Sequence, residues 1–442
     1  MSEEASRKRK ADEASCPYLD TIERTLLDFD LEPICSVSLE KGPHLYACLV
    51  CGKYFRGKGS QTPAYTHSVE DSHYVFIHLG SSEIFCLPDN YQVHDASLDD
   101  IKDALSPSYA KQQVQVIDQQ SELSRDLFGR RYLPGFVGLN DLHNGINAVV
   151  QALSHVPSLR DYFLLHPVLP ECTKDSAKAA HHVAVAFGEL VRQIWSRHRI
   201  KGTVDPHRLV QAIVAASGKR FQMGVQVEVG ELLTWLLHQL HVGTGGTHKK
   251  GSIVQRTFQG KVRVTTRQAK AVEKKQIGQE DDRLGSDDEA GPLPDVTMDD
   301  EKVEIEETVS DTQFMQLALD IPEKPLFRDE DGGLVIPQEP YSNLLKKFDG
   351  ITFSDAISRS GTAQRKRYQI LKLPNYLILH LSRFSTNQYS REKNPTIVAF
   401  PVKNFDLGSY VHREEKIELP TPDEVRSMSV RSTRCGDPTG RR

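Results

Sequence analysis

Two cysteines and two histidines set the tightest limit on what this 442-residue chain can fold into. Cys48 and Cys51 form a C-x2-C pair in ACLVCGKYF, and His67 and His73 follow as an H-x5-H pair. Two thiolates on a tight turn and two imidazoles on or near a helix fill a tetrahedral shell and leave no open position, which is the pattern of a structural zinc. A lone surface histidine or a lone buried cysteine would carry no such meaning; the order and spacing of four do. Around them, short apolar runs alternate with Cys and His, and we assign residues 16–98 to one small metal-closed module.

The remainder is long enough for a larger domain. With 38% hydrophobic and 26% charged residues it reads as soluble with a sizeable core. The formal net charge of −5 argues against a global attraction to nucleic acid or membrane, and no apolar run reaches membrane-spanning length. Seven cysteines, an odd number without a secretory leader, lead us to expect a reducing compartment. Residues 1–15, with Arg7, Lys8, Arg9 and Lys10 in succession, are expected to be a disordered basic tail; the cluster suits a nuclear import signal as well as a solvated terminus. Residues 99–131 read as a helical connector.

Pro134 to Leu153, PGFVGLNDLHNGINAVVQAL, reads as loop, turn and helix. Ile146, Val149, Val150 and Leu153 recur at helical spacing, with Asn144 or Asn147 as the cap. Leu159–Leu165, Val183–Trp195, Leu209–Ala216 and Val225–Leu240 are further amphipathic stretches, with His181 and His182 in a polar first turn. Ile253 to Val262 is expected to be a strand. A basic stretch from Lys249 to Lys275 then gives way to a disordered acidic insertion at 276–310. β-Rich segments follow from Phe314, with His380 structural in mid-strand, and 412–442 is expected to be a disordered tail.

On these residues the chain resembles two families. Cys51, Gly52, Lys53, Tyr54, His67 and His73 are similar to the UBP-type zinc finger. That resemblance implies one zinc ion, because Cys16, Cys35 and Cys86 lack the partners of further sites and read as small buried hydrophobes. Lys53 stands where the family has Arg, and the module has no Trp, which makes ubiquitin binding doubtful. Gly138, Leu139, Asp141, Leu142, Val150, Gln151 and Leu153 resemble the ubiquitin-specific-peptidase signature, and Leu373, Pro374, Leu377, His380, Leu381, Arg383, Phe384, Phe400 and Pro401 its later strands. Asn144 then falls at the nucleophile position, where an amide cannot perform cysteine-type acyl transfer. Nothing after Tyr410 is similar to the strand that supplies the general base, so the papain-like domain, 132–411, is expected to be inactive and C-terminally incomplete.

The combination resembles the inactive ubiquitin-specific-peptidase homologues of the spliceosome, of the snRNP-assembly-defective type. It implies an α+β chain that is no enzyme but a nuclear scaffold of the tri-snRNP, working through contacts with spliceosomal snRNP proteins. Weak or indirect RNA contact by the basic stretch stays open. The alternatives are a ubiquitin-binding adaptor and an active deubiquitinase using Cys172 in LPECTKD.

Overall fold

The computed structural model describes residues 16–30, 32–119, 122–126, 128–139, 144–170, 175–222, 225, 227–247, 249–270, 304–322, 336–357, 363–386 and 391–412. The expected basic tail 1–15, most of the acidic insertion, 276–303, and the tail beyond His412 lie outside them. The chain is α+β and divides into two compact units, Met1–Gln259 with Pro374–Ile378, and Gly260–Leu373 with Leu379–Arg442.

The first unit opens with a five-stranded antiparallel sheet in the order β2-β1-β3-β4-β5, made by β1 (Leu45–Cys48), β2 (Tyr54–Arg56), β3 (Val75–His78), β4 (Ile84–Cys86) and β5 (Tyr91–Gln92), with helix α1 (Pro63–Glu70) inserted between β2 and β3. Strand alternation sends side chains to two cores. Tyr46, Cys48, Phe76 and Phe85 cluster with Phe55 and Ala64, whereas Ala47, Val75, Ile77, Ile84 and Cys86 cluster with Leu27, Leu98 and Ile101. The second cluster also takes Ile200, from far along the chain, so the sheet and the following helices bury apolar surface together.

Those helices begin with α2 (Asp99–Leu105) and α3 (Lys111–Val116), followed by the small hairpin of β6 (Ser124–Arg125) and β7 (Arg131–Tyr132). Strand β8 (Gly138–Leu139) leads to α4 (Asn144–Ser154), α5 (Pro157–Leu165) and the long α6 (Asp175–Ile194); β9 (Thr203–Val204) pairs in parallel with β8 and leads to α7 (His207–Ala216) and α8 (Val229–Gly243). Helix α6 is the centre: Val183, Phe187, Val191 and Ile194 are fully buried at helical spacing. It starts at Asp175, so His181 and His182 stand in its second turn rather than its first, and His181 Nδ1 lies 3.3 Å from the Gly243 carbonyl. Arg160 is 2% exposed and holds the Asp118 carboxylate with two bonds of 2.6 and 2.8 Å, pinning the stretch just after α3 to α5. No helix among the described residues is long and apolar enough to cross a membrane.

The segment expected to be a strand at 253–262 is mostly helix. Ser252 accepts the Gln255 amide as an N-cap of α9 (Ile253–Phe258), and Val254 and Phe258, four residues apart, are buried on its inner face. The strand, β10 (Gly260–Lys270), starts only at Gly260.

In the second unit β10 joins β11 (Glu304–Phe314), then β12 (Leu317–Asp320), β13 (Gln338–Pro340), β14 (Asp349–Ile357), β15 (Ala363–Lys372), β16 (Leu379–Ser382), β17 (Phe384–Thr386), β18 (Arg391–Lys393) and β19 (Ile397–Ala399). The main sheet runs β11-β10-β15-β14, all antiparallel; β12–β16 and β13–β19 are short parallel pairs, and β17–β18 a hairpin. The acidic insertion expected to run to 310 therefore ends earlier, because residues 304–310 are strand. Cross-strand ion pairs explain why so acidic a segment is ordered: Arg263 and Lys261 hold Asp311 at 2.9 and 3.0 Å, and Arg267 holds Glu307 at 2.6 Å.

Candidate functional site

The four predicted ligands come together in the small sheet. Cys48 ends β1 and Cys51 lies in the turn that follows, which is closed by the Gly52 amide donating to the Cys48 carbonyl at 2.9 Å and the Cys48 amide to the Lys53 carbonyl at 2.9 Å. Gly52 has φ +73°, and a Cβ there would collide with the Leu26 carbonyl, so only glycine turns the chain at this point. Pro63 starts α1 with its φ already fixed for a helix, and one turn later the helix presents His67. The His67 ring is buried, stacked on Phe55 with centroids 4.1 Å apart and edge-on to Phe76 at 6.0 Å. His73 follows the helix.

All four ligand atoms lie within 4.8 Å of one another. Cys51 Sγ is 3.4 Å from His67 Nε2, which is 3.0 Å from His73 Nδ1. A tetrahedral zinc with ordinary bond lengths separates sulfur from nitrogen by about 3.5 Å and nitrogen from nitrogen by about 3.3 Å, so the donor set fits that ion. His67 turns its other nitrogen to Asp71 Oδ2 at 2.5 Å, a carboxylate that fixes the ring's orientation. Sequence reading passed over Asp71, although its spacing four residues after His67 on a helix was a readable signal. Its hydrogen bond with Cys48 first, and the Lys53 amide and His73 after it, hold the Cys51 thiol down at about 4; the same bond and burial push Cys48 up.

The other cysteines expected to be buried hydrophobes are buried. The Tyr91 hydroxyl donates to Cys16 Sγ at 3.3 Å, the Ser38 amide to Cys35 Sγ at 3.4 Å, and Cys86 lies inside β4. Lys53 is exposed at the rim of the turn.

Helix α4 carries the second predicted site. Ile146, Val149, Val150 and Leu153 are buried as expected, Gln151 donates to the Val137 carbonyl at 2.8 Å, and the Trp195 indole donates to the Ser154 carbonyl at 3.0 Å. Asn144 is the first residue of the helix; its side chain, and residues 140–143, lie outside the described residues. Asn147 stands inside the helix as its fourth residue, so it is not the cap. Cys172 also lies outside the described residues. His380 is in β16, paired in register with Ala318. Within the basic stretch Lys261, Arg263 and Arg267 face carboxylates on β11, whereas Lys249 and Lys250 are exposed.

Comparison with known proteins follows the same division. Residues 35–98 match the family described as "Zn-finger in ubiquitin-hydrolases and other protein", and residues 137–424 match the "Ubiquitin carboxyl-terminal hydrolase" family. The chain is 43% identical over 407 residues to human "Ubiquitin carboxyl-terminal hydrolase 39", covering 90% of this chain and 68% of that one. It is 35% identical over 402 residues to "Probable mRNA-splicing protein ubp10" of Schizosaccharomyces pombe, covering 89% and 73%. The solved structure described as "an essential yeast splicing factor" superimposes with a TM-score of 0.62 at 25% identity, over 87% of this chain and 82% of that one.

Proposed function

The chain belongs to the ubiquitin carboxyl-terminal hydrolase family, and on that premise we propose that it is a non-catalytic member that serves pre-mRNA splicing. The observation that carries this reading is likeness along nine-tenths of the chain to a protein named for splicing, joined to a solved splicing factor of the same fold. The chemistry agrees. No cysteine stands between Cys86 and Cys172, and α4 opens on Asn144, an amide that no base can turn into a nucleophile. What remains useful is a stable surface, and we assign the chain to the nucleus as a scaffold that helps assemble or hold the tri-snRNP through contacts with snRNP proteins.

The finger at 16–98 supports that role as a rigid module held by one zinc on Cys48, Cys51, His67 and His73. Metal analysis of the purified chain should return one zinc per molecule, and Cys51→Ser should return none; a second tightly held ion would overturn the single-site assignment. The functional reading is tested by isolating the tagged chain from nuclear extract at moderate salt and identifying what accompanies it. Spliceosomal small nuclear RNAs with their core proteins are expected. Ubiquitin conjugates without RNA would replace the scaffold with a ubiquitin-binding adaptor.

A further inference from the structure

The two edges of the main sheet in the second unit are built differently. On the β14 side the pairing with β15 slips between Asp349 and Phe353, and Gly350 takes φ +77°, so that edge is irregular and blunted. On the other side β11 pairs with β10 through eleven consecutive residues without a shift. Among the described residues no strand pairs with its outer edge, which spans about 36 Å of extended backbone. Between Glu304 and Phe314 there is no Pro and no Lys, two of the residues that ordinarily protect an edge from further pairing. The run carries four carboxylates, Glu304, Glu306, Glu307 and Asp311, and no cation.

Its two faces differ. One holds Ile305 and Val309, 69% and 59% exposed, on either side of Glu307. Beside Ile305 that face sinks into a groove of about 740 Å³ lined by Arg267, Phe353, Ile357 and Arg365, with the Arg267 and Arg367 guanidiniums 4.6 and 5.3 Å from the Phe353 ring. The other face holds Glu306, whose carboxylate meets the Gln268 amide at 3.4 Å and no cation among the described residues.

We propose that the β11 edge is a docking site for an extended, Lys- and Arg-rich segment of a protein partner, which adds to it as a fifth strand. Main-chain hydrogen bonds hold such a strand, and alternate side chains select it. Basic residues on one face meet Glu306, and apolar residues on the other cover Ile305 and Val309. The pairing with β10 already displays the chemistry: a strand with cations at alternate positions lies against β11 and matches its acids. A second copy of β11 would set carboxylate against carboxylate, and RNA would meet an acidic edge, so charge favours a basic protein strand over both.

A fluorescent peptide with the sequence of residues 260–270, GKVRVTTRQAK, is a suitable probe, since it carries cations on one face and valines on the other. Anisotropy titration of the full chain should show saturable binding that weakens as salt rises. Glu306→Lys, an exposed change outside the ion pairs described, should weaken it about fivefold or more, the size of one cross-strand charge contact reversed. Hydrogen exchange should slow at β11 amides with β10 amides unchanged. Absence of binding, unchanged binding by Glu306→Lys, or protection of β11 with loss at β10, which would mean displacement of the chain's own strand, each overturns the proposal. So does tighter binding of oligouridylate at the same edge.

Discussion

At the scale of single residues, Asp30 shows how the fold loads charge into a seam. It sits half-buried near Asp28, with Arg199 and Lys201 opposite, and Lys201 reaches across to pair with Asp28. Burial first, and Asp28 after it, raise the Asp30 carboxyl from 3.8 to about 6, against the pull of Arg199 and Lys201. The folded chain therefore holds this proton more tightly than the unfolded chain does. The stability it contributes is present below about pH 4 and is lost as pH rises through about 6. Asp30→Asn should accordingly stabilise the protein at pH 7.5 by roughly 1–2 kcal/mol, less than full linkage because the group is partly exposed, and should bring no gain at pH 4. Thermal melts at the two pH values check this; equal shifts at both would show that charge is not the cause. Asp311 has the opposite sign. Arg263, then Lys261, lower its carboxyl to about 2, so its contribution disappears only as pH falls through that value. The cluster of Cys48, Cys51, His67 and His73 was legible in the sequence because a metal shell of the kind proposed restricts residue type and spacing, here within 26 residues, Cys48 to His73. Asp30 was not, since its partners Arg199 and Lys201 come from a distant loop and only the fold brings them near.

Elements repeat that contrast between local and distant causes. Helices α4 to α8 were legible because each buries a stripe whose period is its own, and Phe187 or Leu236 needs no knowledge of its neighbour to read as core. Helix α9 was missed because Ile253, Val254 and Phe258 fit either period, and the deciding signal was the Ser252 cap. Strand β11 was missed because its composition is that of a solvated segment; its order comes from β10, across a long intervening stretch of sequence. One feature of α8 also escaped sequence reading. Gly243, in its last turn, lies so close to α6 that a Cβ would fall inside contact with the Ala180 carbonyl and the Ala184 methyl. Gly243→Ala keeps helix propensity and even improves it, so any loss must come from overpacking. We expect destabilisation of about 1–3 kcal/mol by denaturant titration, with the helical content of the folded state unchanged. A neutral or stabilising result would mean that the two helices separate at no cost.

For the whole molecule, the separation of scaffold from chemistry makes a sharper demand. The core of the first unit is built from α6 and its neighbours, and none of its buried side chains depends on a thiol at the start of α4. On the non-catalytic reading proposed above, the absence of a nucleophile costs the fold little, while acyl transfer needs several groups to be right together: a thiol, a base to activate it and a group to orient that base. Restoring one of them should restore nothing. A cysteine placed at residue 144 keeps an ordinary thiol, ionised to a few per cent at pH 7, and gains at most a modest lowering from the helix terminus. Purified protein and its Asn144→Cys variant should therefore both leave a ubiquitin–aminomethylcoumarin substrate uncleaved, at the rate of buffer alone, and the variant should form no acyl-enzyme burst. Turnover by the unaltered chain would overturn the non-catalytic reading outright and direct attention to Cys172, whose replacement by serine would then have to abolish it. Turnover by the variant alone would show that a base is still in place and that Asn144 is the one lesion.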